Sequence, residues 1–309
     1  MSEIASQASA RTVGVEVSKT SLVAVCLDAE RQLVGSFSAE NRQCQGAEAI
    51  QCIAEFINEA KTRFGAFDKI GVAVPGLLHR QTKRVAYSTN IPEHEAVDLP
   101  SELKRATGLD IFFENDANAA AYGEFILGAG RGARDVFYVT LGAGIGGALV
   151  FGGKIWRGAS GYAGEFGHIA VNSEGMRLED VASSANIVRR TRSRFYQDST
   201  SVLSDLSEEQ ITLSAVVDAA RRHDDFARLM LERTGVYVGT AIASVINLLN
   251  VERIVIGGEI MQAEDLVLDA IVKRAKELSF APSFADVKIV AGELGANAAA
   301  IGAALLSDR

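Results

Sequence analysis

The sequence contains the same strand–turn–strand pattern twice, and this duplication limits the folds that the chain can adopt. "TVGVEVSKTSLVAVCL" (12–27) and "VFYVTLGAGIGGALVFGGK" (136–154) each place two apolar runs around a short turn, which predicts a β-hairpin. Each hairpin is followed by helical periodicity and by a strand that ends in glycine, at "KIGVAVPGL" (69–77) and "RIVIGGEI" (253–260). The pattern predicts two related α/β domains with a cleft between them.

Apolar residues at helical spacing predict the helices of both domains. These helices are expected at residues 46–65, 101–108, 215–250, 263–278 and 295–306. The last one consists of small residues and is expected to pack back on the first domain. We therefore predict a small N-terminal domain, formed by residues 1–116 and 296–309, and a larger C-terminal domain, formed by residues 117–295.

Charge and composition exclude several classes of protein. The net charge of −8 and the pI near 5.2 argue against a nucleic-acid partner, which requires a basic surface. The sequence lacks an uninterrupted apolar run of about 18 residues, so no membrane span is predicted. The N-terminal segment lacks the basic and apolar regions of a secretory signal, and a cytoplasmic location is expected. Three cysteines, Cys26, Cys44 and Cys52, are expected to be buried free thiols.

Glycine is abundant where apolar runs end. The chain has 29 glycines and only four prolines. Glycine after a strand allows a tight turn and lets backbone N–H groups approach a ligand, which is typical of nucleotide-binding α/β proteins. The sequence has no GxxxxGK[ST] segment, which excludes a Walker-type phosphate loop, and no GxGxxG after the first strand, which argues against a dehydrogenase.

A cluster of polar residues interrupts an apolar segment at "IFFENDANAAAYGEF" (111–125). The apolar residues before it predict the end of a buried strand, and the alanines after it predict a close-packed helix. A helix N-terminus needs one capping Asp or Asn. Four polar residues occur here instead, namely Glu114, Asn115, Asp116 and Asn118. They predict a functional site, although a capping role for Asp116 is an alternative.

Three segments together resemble the sugar-kinase, heat-shock and actin superfamily and, within it, the ROK family of repressors, open reading frames and kinases. "FFENDANAAAYGE" resembles the catalytic segment of that family. "VTLGAGIGGALVFGGKIWRGASGYAGEFGHIAV" (139–171) is similar to its signature, and "INLLNVERIVIGGEI" (246–260) to its adenosine-side strand and turn. The resemblance implies two actin-like, ribonuclease H-like α/β domains with an interdomain cleft.

The resemblance also implies the chemistry of an ATP- and Mg²⁺-dependent hexose kinase, in which Asp116 is the catalytic base and Glu16 a magnesium ligand, directly or through water. The implied sugar ligands are Asn90, Asn115, Glu165, His168 and Glu179. The implied nucleotide-binding residues are Lys19, Thr20, Thr140, Gly142, Gly144, Gly257 and Gly258. Structural roles without ligand binding are the alternatives: His168 could be a core histidine, and the glycine turn 142–147 could be only a hairpin turn.

Three departures from the family pattern bear on activity. The first turn reads E-V-S-K-T-S at residues 16–21 where the family has D-x-G-G-T-K, and the bulkier residues restrict the approach of the backbone to a phosphate. Ala143 replaces a Thr or Ser in the second turn, which removes a hydroxyl donor. The cysteine cluster that binds zinc in the family is replaced by "NSEGMRLEDVASS" (172–184), so no zinc site is expected.

The sequence therefore predicts a kinase that transfers phosphate from ATP to the primary hydroxyl of a hexose. Glucose is the first candidate, and N-acetylhexosamines, fructose and allose are alternatives. The second hypothesis is a sugar-binding sensor or regulator that has lost catalysis and has no DNA-binding domain, which the altered turn favours. Eleven residues precede the first predicted strand and fit no helix–turn–helix, so the kinase branch is expected. A homodimer or higher homo-oligomer is also expected.

Overall fold

A computed structural model of the protein describes residues 11–41, 48–82, 84–88 and 98–308, in which strands alternate with helices. In chain order the strands are β1 (Thr12–Val17), β2 (Ser21–Leu27), β3 (Leu33–Glu40), β4 (Lys69–Val74), β5 (Leu77–Leu78), β6 (Val85–Tyr87), β7 (Asp110–Asn115), β8 (Val136–Leu141), β9 (Ile145–Phe151), β10 (Lys154–Ile155), β11 (Arg253–Gly257) and β12 (Lys288–Ala291). The helices are α1 (Ala49–Phe64), α2 (Leu99–Thr107), α3 (Asp116–Leu127), α4 (Leu178–Ala182), α5 (Ser184–Arg192), α6 (Leu213–Arg221), α7 (Asp225–Leu249), α8 (Asp265–Leu278), α9 (Ala281–Asp286) and α10 (Ala298–Ser307).

Two five-stranded sheets have the same strand order and the same strand directions. The first sheet has the order β3-β2-β1-β4-β7, in which β1, β4 and β7 are parallel. The second has the order β10-β9-β8-β11-β12, in which β8, β11 and β12 are parallel. Each sheet begins with an antiparallel hairpin and continues through crossover connections into parallel strands. The structure thus confirms the predicted duplication and the mixed α/β fold class.

The chain divides into two compact units, each with one of the sheets. The first comprises the described parts of Met1–Ile126, Arg157–Ala163 and Ala296–Arg309, and the second comprises Leu127–Trp156 and Gly164–Gly295. This division assigns most of α3 to the first unit, beyond the expected boundary between residues 116 and 117. There α3 lies against α10, since a Cβ atom at Gly302 would lie 1.7 Å from the carbonyl oxygen of Ala119. Residues 157–163 also belong to the first unit, since the backbone N–H of Arg80 donates to the carbonyl oxygen of Ser160 at 2.8 Å.

Helix α10 lies against β1 and β4 at backbone contact distance. A Cβ atom at Gly14 of β1 would lie 2.0 Å from the carbonyl oxygen of Ala300, and one at Gly71 of β4 would lie 1.9 Å from the carbonyl oxygen of Ala303. No residue larger than glycine fits at either position. All ten residues of α10 are buried, so this helix covers part of the first sheet and forms much of the core of the first unit.

The predicted continuous helix over residues 215–250 is wrong, because the chain forms two helices there, α6 and α7. His223 adopts a left-handed φ of 67° between them, which a regular helix does not permit. The side chain of Asp224 then accepts a hydrogen bond from the backbone N–H of Ala227 at 2.8 Å and caps α7. A capping residue inside a periodic apolar segment was the signal for this break.

Helix α7 has the length and apolar composition of a membrane-crossing helix, but 61% of its apolar window is buried inside the structure. Its buried face includes Met230, Val238 and Ile242. A Cβ atom at Gly239 would lie 2.6 Å from the carbonyl oxygen of Ile271 in α8. The apolar character of α7 is therefore accounted for by packing against α8 in the second unit.

The cysteine prediction is confirmed for one residue and wrong for another. Cys26 is a buried free thiol in β2. Cys52 in α1 is disulfide-bonded, contrary to the expectation of a free thiol. Cys44 lies outside the described residues. Scattered apolar surroundings gave no indication of the pairing, because partners in a disulfide are set by tertiary contacts rather than by local composition.

Candidate active site

The carboxyl ends of three parallel strands converge in the first unit. Glu16 is the penultimate residue of β1 and pairs in register with Ala73 of β4. Asn115 is the last residue of β7 and pairs with Val74, the last residue of β4. Asp116 follows at once as the first residue of α3. Crevices outside the carboxyl ends of parallel strands are the usual location of ligand sites in α/β proteins.

Asn115 holds Asp116 in place and caps the helix itself. Its Nδ2 donates to the carbonyl oxygen of Gly76 at 3.0 Å and to Oδ1 of Asp116 at 2.9 Å. Its Oδ1 accepts from the backbone N–H of Asn118 at 3.0 Å, which is the capping bond expected three residues into a helix. Asp116 Oδ1 also accepts from the backbone N–H of Ala117 at 2.8 Å. Capping is therefore the role of Asn115, and it does not account for Asp116.

Glu16 and Asp116 bring two carboxyl groups into one electrostatic environment. Burial raises the pKa of Glu16 to about 8, and the nearby Asp116 carboxylate contributes to the increase. Two mutually repelling carboxylates are a site that a hard divalent cation would stabilise, because it takes oxygen ligands and retains several waters. The two residues therefore fit Mg²⁺. Within the described residues, no group of three or more His, Cys, Asp and Glu side chains is placed to hold a metal ion.

The first turn is closed by the hydroxyl group of Ser18. Its Oγ accepts from the backbone N–H of Ser21 at 3.0 Å and, more weakly, from that of Thr20 at 3.4 Å. The backbone N–H of Ser18 donates to the carbonyl oxygen of Ser21 at 2.9 Å. Lys19 and Thr20 are exposed. Three backbone N–H groups of the turn thus donate within the turn itself, two of them to the Ser18 hydroxyl, instead of donating to a phosphate.

The second glycine turn lies at the carboxyl end of β8 in the second unit. The backbone N–H of Gly142 donates to the carbonyl oxygen of Gly144 at 3.0 Å, and that of Ser184 donates to the carbonyl oxygen of Gly142 at 2.8 Å. Thr140, half-buried in β8, pairs in register with Gly257 of β11. Gly258 has a left-handed φ of 93°, and a Cβ atom there would lie 2.4 Å from the carbonyl oxygen of Leu141. The packing against Leu141 thus requires glycine at position 258, whether or not this residue also binds a ligand.

Glu179 joins the second glycine turn to the segment that contains Glu165 and His168. Its Oε2 accepts from the backbone N–H of Ile145 at 2.7 Å. The same oxygen lies 3.1 Å from the position of a Cβ atom at Gly144. Partial burial raises the pKa of Glu165, and the carboxylate of Glu179 adds to this effect, while His168 opposes it. Glu165, His168 and Glu179 therefore form one cluster of interacting side chains.

A cavity of about 600 Å³ opens beside this turn in the second unit. Its polar lining includes Ser184, Arg189, Arg192 and Glu259. The hydroxyl of Ser184 donates to Oε1 of Glu259 at 2.6 Å. Because Ser184 also bonds to Gly142, the cavity adjoins the glycine turn. Sequence reasoning did not identify Ser184 or Glu259, although the position of Glu259 directly after Gly257 and Gly258 was an available signal.

The segment that replaces the zinc cluster is held by its own hydrogen bonds. The backbone N–H of Val171 donates to the carbonyl oxygen of Met176 at 2.8 Å, and that of Met176 donates to Oδ1 of Asn172 at 2.9 Å. The backbone N–H of Leu178 donates to the carbonyl oxygen of Ile169 at 2.9 Å, and the Leu178 side chain is fully buried. This loop ends directly before Glu179 and fixes the start of α4.

The structure therefore groups the predicted site residues in two sets. Glu16, Lys19, Thr20, Asn115 and Asp116 lie in the first unit. The second unit contains Thr140, Gly142, Gly144, Glu165, His168, Glu179, Gly257 and Gly258. Asn90 lies outside the described residues. Sequence reasoning also missed Arg157, whose guanidinium pairs with the carboxylate of Glu114, the residue directly before Asn115.

The chain is similar to known proteins over nearly its whole length. The sequence matches the model of the ROK family over residues 12–309. The chain belongs to the ROK family. The glucokinase of Thermotoga maritima is 31% identical over 95% of this chain and 96% of its own length.

Two further relatives show the breadth of the ROK family. A ROK family glucokinase from Streptomyces griseus, crystallised with glucose and AMPPNP, superimposes with a TM-score of 0.86 at 29% identity. The alignment covers 96% of this chain and 99% of that one. The xylose repressor of Bacillus spizizenii is 27% identical over 75% of this chain and 59% of its own length. The family thus includes both kinases and regulators among the relatives of this chain.

Proposed function

We propose that this ROK protein is an ATP-dependent sugar kinase that phosphorylates the primary hydroxyl of a hexose, with glucose as the first candidate. The observation that carries the proposal is the placement of Asp116. The residue lies at the carboxyl end of parallel strands, held by Asn115 and half-buried beside Glu16. Glucokinases that match over nearly the whole chain support the same activity.

In this proposal Asp116 accepts the proton of the primary hydroxyl while the hydroxyl oxygen attacks the γ-phosphorus of ATP. The P–O bond to the β-phosphate breaks, and ADP leaves with the bonding electron pair. General-base assistance of this kind contributes about 10²–10⁴-fold to the rate. Asn115 orients Asp116 through its Nδ2 hydrogen bond and also binds a sugar hydroxyl, as Asn90 is proposed to do.

Glu165, His168 and Glu179 are the proposed sugar ligands of the second unit. Their carboxylate and imidazole groups suit a hexose because each sugar hydroxyl both donates and accepts hydrogen bonds. The Oε2 atom of Glu179 already accepts from Ile145, so this residue is fixed before a sugar binds. A deoxy sugar that lacks a bonded hydroxyl should bind less tightly, since it leaves acceptors unpaired.

The proposed nucleotide site comprises the turn 142–144, the pair Gly257–Gly258, Thr140 and the adjoining cavity. Lys19 and Thr20 would contribute charge and a hydroxyl from the first turn. Glu16 would hold Mg²⁺ directly or through water, with Asp116 nearby. When bound, Mg²⁺ neutralises charge on the phosphates. No zinc is proposed.

A panel assay for ADP release tests the proposal. The sugars would be glucose, N-acetylglucosamine, N-acetylmannosamine, fructose, allose and xylose, with Asp116→Asn as the control enzyme. Xylopyranose lacks the primary hydroxyl and serves as a ligand that cannot be phosphorylated there. Turnover with at least one hexose, absent with xylose, is the expected result. Absence of turnover with every hexose at millimolar ATP would contradict the proposal.

The alternative is a sugar-binding sensor or regulator that has lost catalysis. The specific observation in its favour is the first turn, where the hydroxyl of Ser18 takes the N–H groups of Thr20 and Ser21. The similarity to a xylose repressor is a second. Calorimetry distinguishes the two functions: a sensor binds a sugar and does not bind ATP, whereas the kinase binds both.

We further infer a cytoplasmic location and a homodimer or higher homo-oligomer, with no nucleic-acid or membrane partner. The acidic net charge of −8 supports the last part of this inference, the lack of a nucleic-acid or membrane partner, because phosphate backbones and anionic lipid surfaces repel an acidic protein. Size-exclusion chromatography with light scattering measures the oligomeric state directly.

A further inference from the structure

We propose that Arg157 is a positioning residue for Asp116 and acts through Glu114. The two residues are 43 positions apart in the sequence, and Arg157 lies outside the polar cluster of residues 114–118. This inference rests on the proposed function, since it assigns a role toward the proposed base. It adds a residue that touches neither sugar nor nucleotide but sets the geometry of the reacting carboxylate.

Glu114 is a buried carboxylate whose two oxygens accept hydrogen bonds from different groups. The residue is only 3% exposed at the end of β7. Its Oε2 accepts from Nε of Arg157 at 3.1 Å and also from Nη2 of the same guanidinium. A buried carboxylate is stable only when it is paired and fully hydrogen-bonded. Arg157 supplies both the charge and a two-point geometry that a lysine cannot reproduce.

The other oxygen of Glu114 organises the segment around Asp116. Its Oε1 accepts from the backbone N–H of Asn115 at 3.0 Å and from Nδ2 of Asn118 at 3.1 Å. Asn115 in turn donates to Asp116 Oδ1 at 2.9 Å. A continuous set of hydrogen bonds therefore runs from the guanidinium of Arg157 through Glu114 and Asn115 to the carboxylate of Asp116.

The backbone around Arg157 is itself fixed within the first unit. Nη1 of Arg80 donates to the carbonyl oxygen of Gly158 at 3.3 Å. The backbone N–H of Ala163 donates to the carbonyl oxygen of Arg157 at 3.2 Å. A Cβ atom at Gly161 would lie 2.3 Å from the carbonyl oxygen of Leu78. The guanidinium is thus presented to Glu114 from a packed segment rather than from a free loop.

Loss of Arg157 should loosen this segment without removing any group that touches a substrate. Glu114 would become a buried charge without its cation, and its hold on Asn115 would weaken. A displacement of about 1 Å at a reacting group can cost about 10²-fold in rate. The expected signature is a reduced kcat with little change in KM for ATP, because the proposed nucleotide-binding groups of the second unit are untouched.

The experiment compares Arg157→Met and Arg157→Lys with Arg177→Met. Arg177 is a matched control, since its guanidinium also pairs with a carboxylate, that of Asp180, but on the surface. Amide hydrogen exchange of the peptide that spans residues 112–120 is the first readout and needs no catalytic activity. Steady-state kinetics with the best sugar of the panel is the second.

In Arg157→Met we expect exchange in residues 112–120 to accelerate at least about 10-fold and kcat to fall at least about 10-fold. KM for ATP should stay within twofold. Arg157→Lys should recover only part of both effects, and Arg177→Met should match wild type. Free guanidinium ion added to Arg157→Ala should restore both readouts more than an equal concentration of methylammonium does.

Unchanged exchange in residues 112–120 of Arg157→Met would overturn the proposal, as would a loss confined to KM. If wild-type protein turns over no sugar, the kinase function fails, but the exchange measurement still decides whether Arg157 orders the Asp116 segment. If Arg157→Met does not fold, Arg157→Lys gives the same decision on folded protein, because it keeps the charge but not the two-point geometry.

Discussion

The backbone N–H of Ile145 donates a hydrogen bond of 2.7 Å to Oε2 of Glu179, 34 residues further along the chain. Ile145 is the first residue after the glycine turn 142–144, and Glu179 lies in the first turn of α4. A proposed sugar ligand is therefore bonded to a proposed phosphate-binding turn. Within the second unit, this hydrogen bond ties the position of the turn to that of the Glu179 carboxylate.

Replacing Glu179 separates its two roles. Glu179→Gln keeps an amide oxygen that can accept from Ile145, so the turn should stay in place and ATP affinity should change less than about twofold. Sugar affinity should fall about 10-fold or more, because hydrogen bonds to a charged group contribute about 1.5–3 kcal/mol. Isothermal titration with each ligand measures both effects.

Glu179→Ala is the matched comparison, since it removes the acceptor of the Ile145 N–H as well as the charge. This variant should lose affinity for ATP in addition to sugar. Equal ATP affinities in Glu179→Gln and Glu179→Ala would show that the turn does not depend on this hydrogen bond.

Asp116→Asn should lower kcat by at least about 10²-fold, the lower end of the range for general-base catalysis. The amide oxygen can still accept from Asn115 Nδ2 and from the backbone N–H of Ala117. Sugar affinity should therefore change little. Steady-state kinetics combined with calorimetry tests both parts, and a variant with near-normal kcat would eliminate Asp116 as the base.

Glu16 should make the first unit less stable as the pH rises. Its pKa is raised to about 8 in the folded protein, from an ordinary value of 4.5. Between these values the folded chain holds a proton that the unfolded chain has released, so the free energy of unfolding falls with increasing pH. Melting temperatures of wild type and Glu16→Gln, measured between pH 5 and pH 8.5 with a chelator, test this slope.

The wild-type protein should lose thermal stability over that range, and Glu16→Gln should show a shallower dependence. Mg²⁺ at pH 8 should raise the melting temperature of wild type more than that of the variant, since the cation favours ionised carboxylates. Identical pH profiles for the two proteins would refute the assignment of the slope to Glu16. Glu40→Gln, an exposed change in the same unit, is a control.

Purified protein should contain no stoichiometric zinc, and in the absence of added Mg²⁺ chelators should not change its melting temperature. The chain has no cysteine after Cys52, and the loop before Glu179 is closed by protein hydrogen bonds instead. Asn172→Ala should lower the melting temperature, because it removes the acceptor of the Met176 N–H. Elemental analysis that found one zinc per chain would contradict this prediction.

Sequence patterns predicted the regular parts of the fold because those parts depend on local periodicity. Alternating and apolar runs located both hairpins, and the spacing over 46–65 located α1, which the structure places at Ala49–Phe64. The break between α6 and α7 was missed although five consecutive polar residues, RRHDD at 221–225, interrupt the apolar spacing there. The apolar residues on each side keep helical spacing, and the left-handed φ of His223 separates the two helices.

From local sequence patterns alone, without the family resemblance, the candidate site was predictable only where its residues are adjacent in sequence. Asn115 and Asp116 lie in one recognisable segment, so their position at a strand end followed directly. Arg157 pairs with Glu114 across 43 residues, and the fold alone brings these two side chains together. The closure of the first turn by Ser18 was also missed, because a hydroxyl can face either solvent or its own backbone.

The position of α10 determines when the first unit can be completed during synthesis. Its strands β1 and β4 are translated early, but the helix that contacts them at Gly14 and Gly71 is translated only after the whole second unit. While the ribosome makes residues 127–295, those glycines face no helix. An apolar surface of the first sheet therefore stays uncovered in the nascent chain until α10 has been made. During this time the surface is exposed to aggregation, for longer than the corresponding surface of the second unit.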